Sequence, residues 1–205
     1  MCGWRGPTSC AGTVLFGGRT LAEGSRAQPT PGRRLAPSPE MKRTARSRAL
    51  VGLGLTALCF GIAAMGGAVT VRGRGRPDGA WFRSLRKSPL QPPGRVFGPV
   101  WTVLYGLIAY SGYRIWRAPR SRQRTRALAL WGAQLALNGA WTPLFFGARR
   151  PVAALADLVA LDAVAGAYAI TAREVDRGAA LAVTPYLAWS GFATYLNGSI
   201  VARNR

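Results

Sequence analysis

Five long runs of apolar residues, each free or nearly free of charge, dominate the chain after residue 48. Each run is long enough to cross the hydrocarbon core of a bilayer as a helix, which takes about 20 residues. The helices of a soluble core would show a polar face every few residues, and these runs mostly lack one. The pattern predicts an all-α membrane protein, a five-transmembrane-helix bundle with spans near residues 49–71, 96–116, 127–148, 152–172 and 178–202.

The connections between the predicted spans are short except for the first, which runs from Arg72 to Arg95. Short connections place neighbouring helices antiparallel, and a long loop inside a compact domain is usually functional or disordered. The long connection is rich in arginine, aromatic residues and proline, including Pro89, Pro92 and Pro93. Proline fixes φ and disfavours helix, so this connection is predicted to be a stiff, extended cover.

Residues 1–48 are predicted to be a disordered basic tail that precedes a single folded domain at residues 49–203. The first 40 residues are rich in Gly, Pro, Arg and Ser and have no sustained hydrophobic period, so they bury too little to become ordered. Met41 begins a basic run that suits the N-terminus before a first span, which favours Met41 as the true start. A targeting peptide is the alternative interpretation.

The charge balance bears on the partners of the protein. The chain carries 28 Lys and Arg against 7 Asp and Glu, a net charge of +21. In a soluble protein this excess would indicate a nucleic-acid binder. Here the cations cluster at the ends of the apolar runs, as they do around membrane spans, so the expected partner is a lipid bilayer and not a nucleic acid. We expect a multi-pass protein of the cell membrane, although Lys and Arg are equally numerous on both sides and favour neither orientation.

Few residues offer ordinary catalytic or metal chemistry. The chain has no histidine, and its three cysteines do not have the spacing of a metal site. No nucleophile–base set and no phosphate-binding loop is visible, which gives hydrolase or transferase activity little support. We therefore predict no metal site, no catalytic residues and no required cofactor.

Aromatic and amide side chains recur at helical spacing on three of the predicted spans. On the third span, one stripe contains Trp131, Gln134, Asn138 and Trp141. A buried amide in lipid needs a partner, so this stripe should face protein or a cavity. Aromatic walls with a few polar groups suit a flat conjugated ligand, whereas an interfacial belt or simple packing is the alternative. The candidate ligand-binding residues are Trp101, Tyr105, Asn138, Trp141, Tyr186 and Trp189.

Two carboxylates, Asp157 and Asp162, lie inside the fourth predicted span. A carboxylate within the membrane is unfavourable and usually faces the protein interior or a water-filled space. Five residues apart on a helix, the two side chains point about 140° apart and should not form a pair. We expect them to make structural hydrogen bonds, with ligand or proton handling as the alternative.

Three sequence blocks resemble the TspO/MBR family, the tryptophan-rich sensory proteins. They run from Trp81 to Tyr105, from Gln134 to Arg149 and from Pro185 to Asn197, within a resemblance that covers roughly residues 49–203. The resemblance implies a five-helix bundle, often a homodimer, whose pocket is capped by the first loop. It also implies that the ligand is a tetrapyrrole, either a porphyrin or haem, or another flat hydrophobic molecule.

The leading hypothesis is a membrane sensor or carrier that binds tetrapyrroles. The alternatives are an enzyme that degrades porphyrin with light and an indole, and a membrane scaffold that acts through protein partners. Many relatives have tryptophan where this chain has Leu90 and Arg95. Fewer tryptophans line the expected cover, which weighs against photochemistry more than against binding.

Overall fold

The computed structural model describes residues 39–72 and 79–204, and all regular structure in these residues is helical. The predicted disorder of residues 1–38 lies outside the described residues. The start at Met41 stays a prediction, since it concerns the same segment. The helices are α1 (Pro39–Arg72), α2 (Ala80–Ser84), α3 (Gly94–Arg117), α4 (Arg122–Thr142), α5 (Pro151–Val175) and α6 (Arg177–Arg203), and α4 continues into a π-helical turn at Pro143–Gly147.

Four of the long helices contain a predicted span in full, and α4 with the π-helical turn contains the remaining span, 127–148, up to Gly147. This confirms the helical-bundle fold class. The sixth helix, α2, is short and lies in the connection that was predicted to be extended throughout. That prediction is wrong for Ala80–Ser84, because this stretch contains no proline: Pro77 comes before it, and Pro89, Pro92 and Pro93 come after it. Between α2 and α3 the chain is non-helical, as the prolines predict.

The first helix begins earlier than expected. The sequence predicts a disordered tail that includes residues 39–48, whereas α1 starts at Pro39. Proline is favourable in the first turn of a helix, and the Met, Lys, Arg and Ala residues that follow are good helix formers. The third predicted span differs at its other end, since α4 gives way to the π-helical turn at Pro143.

Side chains cap two of the helices at one end of the bundle. The Ser121 hydroxyl accepts a hydrogen bond from the Arg124 backbone N–H at 3.0 Å and caps α4. The Asp176 carboxylate accepts from the Ala179 N–H at 2.9 Å and caps α6. Asp176 is also the single residue that separates α5 from α6. These caps satisfy backbone donors that the first turn of a helix leaves free.

A glycine lets α3 and α4 approach closely in the core. The indole Nε1 of Trp131 donates to the Ile108 carbonyl oxygen at 2.9 Å, which holds the ring against α3. A Cβ atom on Gly112 would lie 2.5 Å from the Trp131 ring. Only glycine fits at this position, and Trp131 is 4% exposed as a result.

Large apolar side chains also cover the outer surface of the bundle. Ile170 is 70% exposed and Leu181 is 73% exposed. By length and hydropathy alone, two stretches of the described helices qualify as membrane spans, Arg46–Gly66 and Pro151–Val175. An apolar exterior of this kind is what a lipid-facing surface requires.

Candidate ligand-binding cavity

The helices enclose a cavity of about 470 Å³ beneath the connection between α1 and α3. Its volume lies in the range of about 300–1,000 Å³ that is usual for ligand pockets. Five of the six predicted ligand-binding residues line it: Trp101, Tyr105, Asn138, Trp141 and Trp189. Three separate helices, α3, α4 and α6, contribute these side chains.

The sixth predicted residue, Tyr186, does not line the cavity. It is fully buried behind the wall, and its ring lies 6.4 Å from that of Trp101. The Tyr105 hydroxyl donates to Asn138 Oδ1 at 2.5 Å, and Asn138 Nδ2 donates to the Tyr186 hydroxyl at 3.2 Å. Tyr186 therefore supports the Asn138 amide, which both tyrosines hold in one orientation.

The first two residues of the predicted stripe on α4, Trp131 and Gln134, belong to the core. Trp131 faces α3, and Gln134 is fully buried with its Nε2 donating to the Trp131 carbonyl at 3.1 Å. Neither residue lines the cavity. The stripe thus reaches the cavity only at Asn138 and Trp141, one and two turns further along the helix.

Phenylalanines complete the aromatic wall. Phe97 packs edge-on against Trp189 with ring centroids 5.8 Å apart, and Phe145 stacks on Trp141 at 5.1 Å with an interplanar angle of 18°. Phe146 also lines the cavity. Sequence reasoning missed Phe145 and Phe146. Phe145 lies four residues after Trp141 and continues the same helical stripe, so that spacing could have identified it.

The cover of the cavity, which we call the lid, consists of residues 80–93. Its first part, α2, docks on the π-helical turn through aromatic contacts. Trp81 and Phe82 pack against Phe145 at 5.7 and 6.2 Å, and Phe82 lies 5.5 Å from Phe146. The two phenylalanines of the turn are almost completely buried. Burial of large rings makes this a stable attachment.

The second part of the lid passes over the cavity and is attached to α6. Gln91 and Pro92 line the cavity from above. Ser88 is buried, and its hydroxyl lies 3.3 Å from that of Tyr195 on α6. The backbone of Arg86 makes two hydrogen bonds with the Asn204 side chain, at 2.9 and 3.0 Å. The predicted cover is therefore present, and it is joined to the bundle on two sides.

The two carboxylates of α5 lie outside the cavity wall. Asp162 Oδ2 accepts a hydrogen bond from the Thr194 hydroxyl of α6 at 2.7 Å, which agrees with the expected structural role. Asp157 Oδ2 and Asp162 Oδ1 are buried without a hydrogen-bond partner. Within the described residues, the lining of the cavity contains neither of these side chains and no other charged group.

An ion pair joins α3 to the start of α6 at the end of the bundle away from the lid. Arg114 Nε lies 3.0 and 3.1 Å from the two Asp176 oxygens. Burial by itself would raise the pKa of Asp176, but the hydrogen bonds from Arg114 and from the Ala179 N–H outweigh it and lower the pKa below its ordinary value. The carboxylate that caps α6 is thus held in its charged form.

Comparison with known proteins assigns this arrangement to a family. Residues 55–203 match the model of the TspO/MBR family. The chain is 41% identical to a translocator protein of Ovis aries over 133 residues, which cover 64% of this chain and 77% of that protein. It is 40% identical to a translocator protein of Homo sapiens over 119 residues, 57% of this chain and 70% of the relative.

A bacterial relative is similar over a slightly longer stretch at a lower identity. The chain is 37% identical to a tryptophan-rich sensory protein of Cereibacter sphaeroides over 136 residues, which cover 66% of this chain and 84% of that protein. The matched region contains α3 to α6 and most of α1, so it includes every helix that lines the cavity. The chain therefore belongs to the TspO/MBR family, and its long helices form the membrane helical bundle of that family.

Proposed function

We propose that this protein binds a tetrapyrrole, either a porphyrin or haem, in the cavity beneath the lid, as a sensor or carrier. The observation that carries the proposal is the cavity itself, in which Trp101, Trp141 and Trp189 come from three helices and surround a space of about 470 Å³. Indole rings stack on flat conjugated molecules, and the fixed Asn138 amide supplies a polar group that orients them.

The proposal includes a multi-pass arrangement in the cell membrane. Each of the five long helices has the length that a span needs, about 20 residues or more. The apolar exterior then faces lipid, and the lid lies at one membrane surface. A ligand with an apolar body is concentrated by the bilayer in which such a protein sits.

Replacement of single indoles tests the proposal. Protoporphyrin IX is titrated into the purified protein in nanodiscs, and binding is followed by the porphyrin absorbance band, which does not depend on protein fluorescence. Trp141→Phe and Trp189→Phe should each weaken binding about 5- to 150-fold, because a lost stacking indole is worth roughly 1–3 kcal/mol. Phenylalanine keeps an apolar ring in place, so the bundle should remain folded.

Trp116→Phe is the matched control. Trp116 stacks on Tyr113 near the end of α3, away from the cavity, and its replacement should leave the affinity unchanged. Equal affinities in all three folded variants, or no binding by the unaltered protein, would contradict the proposal.

Light-dependent breakdown of the porphyrin is a second candidate, because three indoles line one cavity. The same complexes are illuminated and their products analysed. Binding in the dark without products under illumination supports a sensor or carrier, whereas products that disappear in Trp141→Phe support the enzyme.

A further inference from the structure

We propose that Asn204 is a positioning residue that holds the lid closed, and that the cavity opens between the lid and the end of α6. The inference rests on the proposed function for its ligand, but its geometry is independent of what the ligand is. The lid is attached to the bundle differently on its two sides.

The Asn204 side chain is fully engaged at the end of α6. Its Oδ1 accepts from the Arg86 backbone N–H at 2.9 Å, and its Nδ2 donates to the Arg86 carbonyl at 3.0 Å. The same Nδ2 donates to the Ile200 carbonyl at 2.8 Å, which fixes the side chain to the last turn of the helix. One amide thus pairs with both backbone groups of a single lid residue.

The pair formed by Arg86 and Asn204 lies next to the rim of the cavity. Ile200, the partner of Asn204 within α6, lines the cavity, and no residue of the described chain further along α6 does so. Asn204 itself does not line the cavity. The Arg86–Asn204 pair therefore lies just beyond the last residue of α6 that lines the cavity, and it is not part of the lining.

The two sides of the lid differ in how readily they separate from the helical bundle. On the side of the π-helical turn, α2 is attached by rings packed on nearly buried phenylalanines. On the side of α6, both Arg86 and Asn204 are exposed, so water can replace their hydrogen bonds. The other attachment on this side is a single contact of 3.3 Å between the hydroxyls of Ser88 and Tyr195, and Tyr195 is 49% exposed. The α6 side should therefore release first, while α2 remains docked.

The experiment measures, in the full-length protein, how fast protoporphyrin IX enters and leaves the cavity and how tightly it binds. Association and dissociation of protoporphyrin IX are measured by stopped flow for Asn204→Ala and Asn204→Asp. The aspartate keeps an acceptor for the Arg86 N–H but loses both donors. We expect both rate constants to rise about 10-fold in the alanine variant, equivalent to about 1.4 kcal/mol of lost closure, with the dissociation constant nearly unchanged.

Ser199→Ala is the matched control, because the Ser199 hydroxyl accepts from Arg203 Nε at 3.1 Å near the same helix end, within α6 and not from the lid. A second readout needs no ligand. The three native cysteines are replaced by alanine, Ala193 in the cavity wall is replaced by cysteine, and the rate of thiol modification is measured. Asn204→Ala should accelerate this modification, and Ser199→Ala should not.

Modification that is no faster in Asn204→Ala, or equally faster in Ser199→Ala, would overturn the inference. So would an increase in the dissociation rate alone, since it would mean that Asn204 contacts the ligand. Faster modification in a protein that fails to bind protoporphyrin IX would support the role of Asn204 and contradict the proposed function.

Discussion

At the scale of single residues, close packing decides which side chains reach the cavity. Trp131 and Trp141 lie on one predicted stripe, yet the first is held in the core by its bond to Ile108 and only the second lines the cavity. Helical spacing shows which residues share a face, but it does not show how far a neighbouring helix covers that face. For the same reason Tyr186, three residues from Trp189, could not be distinguished from a wall residue by sequence.

Gly112 provides a test of this packing. Alanine at this position would place its Cβ against the rigid, buried ring of Trp131 and displace the indole from the Ile108 carbonyl. We expect Gly112→Ala to destabilise the protein by roughly 1–3 kcal/mol, the usual effect of overpacking. Thermal unfolding in detergent, followed by circular dichroism, measures the change.

Gly106→Ala is the control on the same helix. A Cβ at Gly106 would meet nothing within 4 Å, so the better helix propensity of alanine should leave stability unchanged or slightly raised. If Gly112→Ala unfolded at the same temperature as Gly106→Ala, the close contact between α3 and α4 would not be important for stability.

At the scale of elements, the sequence predicted the long helices and missed the features that depend on distant contacts. Charge-free runs of sufficient length predict the helices because burial in lipid dominates their stability. The attachment of the lid joins Arg86 to Asn204, which are 118 residues apart, and no local pattern reports such a pair. The π-helical turn was also missed, although Pro143 explains why the α-helical pattern changes there.

The cap of α6 should make stability depend on pH in acid. The pKa of Asp176 is lowered in the folded protein, so its contribution is complete above the ordinary carboxyl value of about 3.9 and is lost as the pH falls through the lowered value. Unfolding temperatures are compared near neutral pH and at about pH 3. Asp176→Asn keeps a capping oxygen but removes the charge, and it should reduce the difference between the two conditions.

Asp176→Ala removes the cap as well and should cost about 1 kcal/mol near neutral pH. An Asp176→Asn protein with the same pH dependence as the unaltered protein would assign the acid sensitivity to other groups.

At the scale of the whole molecule, the polar side chains of the interior explain why hydropathy alone identifies membrane spans in only two of the five long helices. The two stretches that qualify as membrane spans lie in α1 and α5, whereas α3, α4 and α6 carry the indoles, tyrosines and amides of the cavity. These residues lower the hydropathy of a helix even though they face inward. The family match and the pattern of charge-free runs were therefore better guides to the fold than hydropathy alone.

Val159 tests the membrane arrangement. It lies in the middle of α5 with 55% of its surface exposed, so a cysteine there would react readily in water. In intact membranes lipid should cover it, and Val159→Cys should be protected from a charged thiol reagent. Ser121→Cys, in the connection before α4, should be modified quickly. Comparable rates at the two positions would argue against a membrane-spanning α5.

The joints between the helices are very unequal in length. Residues 118–121 join α3 to α4, residues 148–150 follow the π-helical turn, and Asp176 alone joins α5 to α6, whereas residues 73–93 separate α1 from α3. Because these connections are short, we expect α3 to α6 to move together as one wall. If ligands of different thickness bind, the lid and α1 should therefore move to accommodate them. The helices that carry the indoles should keep the same arrangement for every ligand.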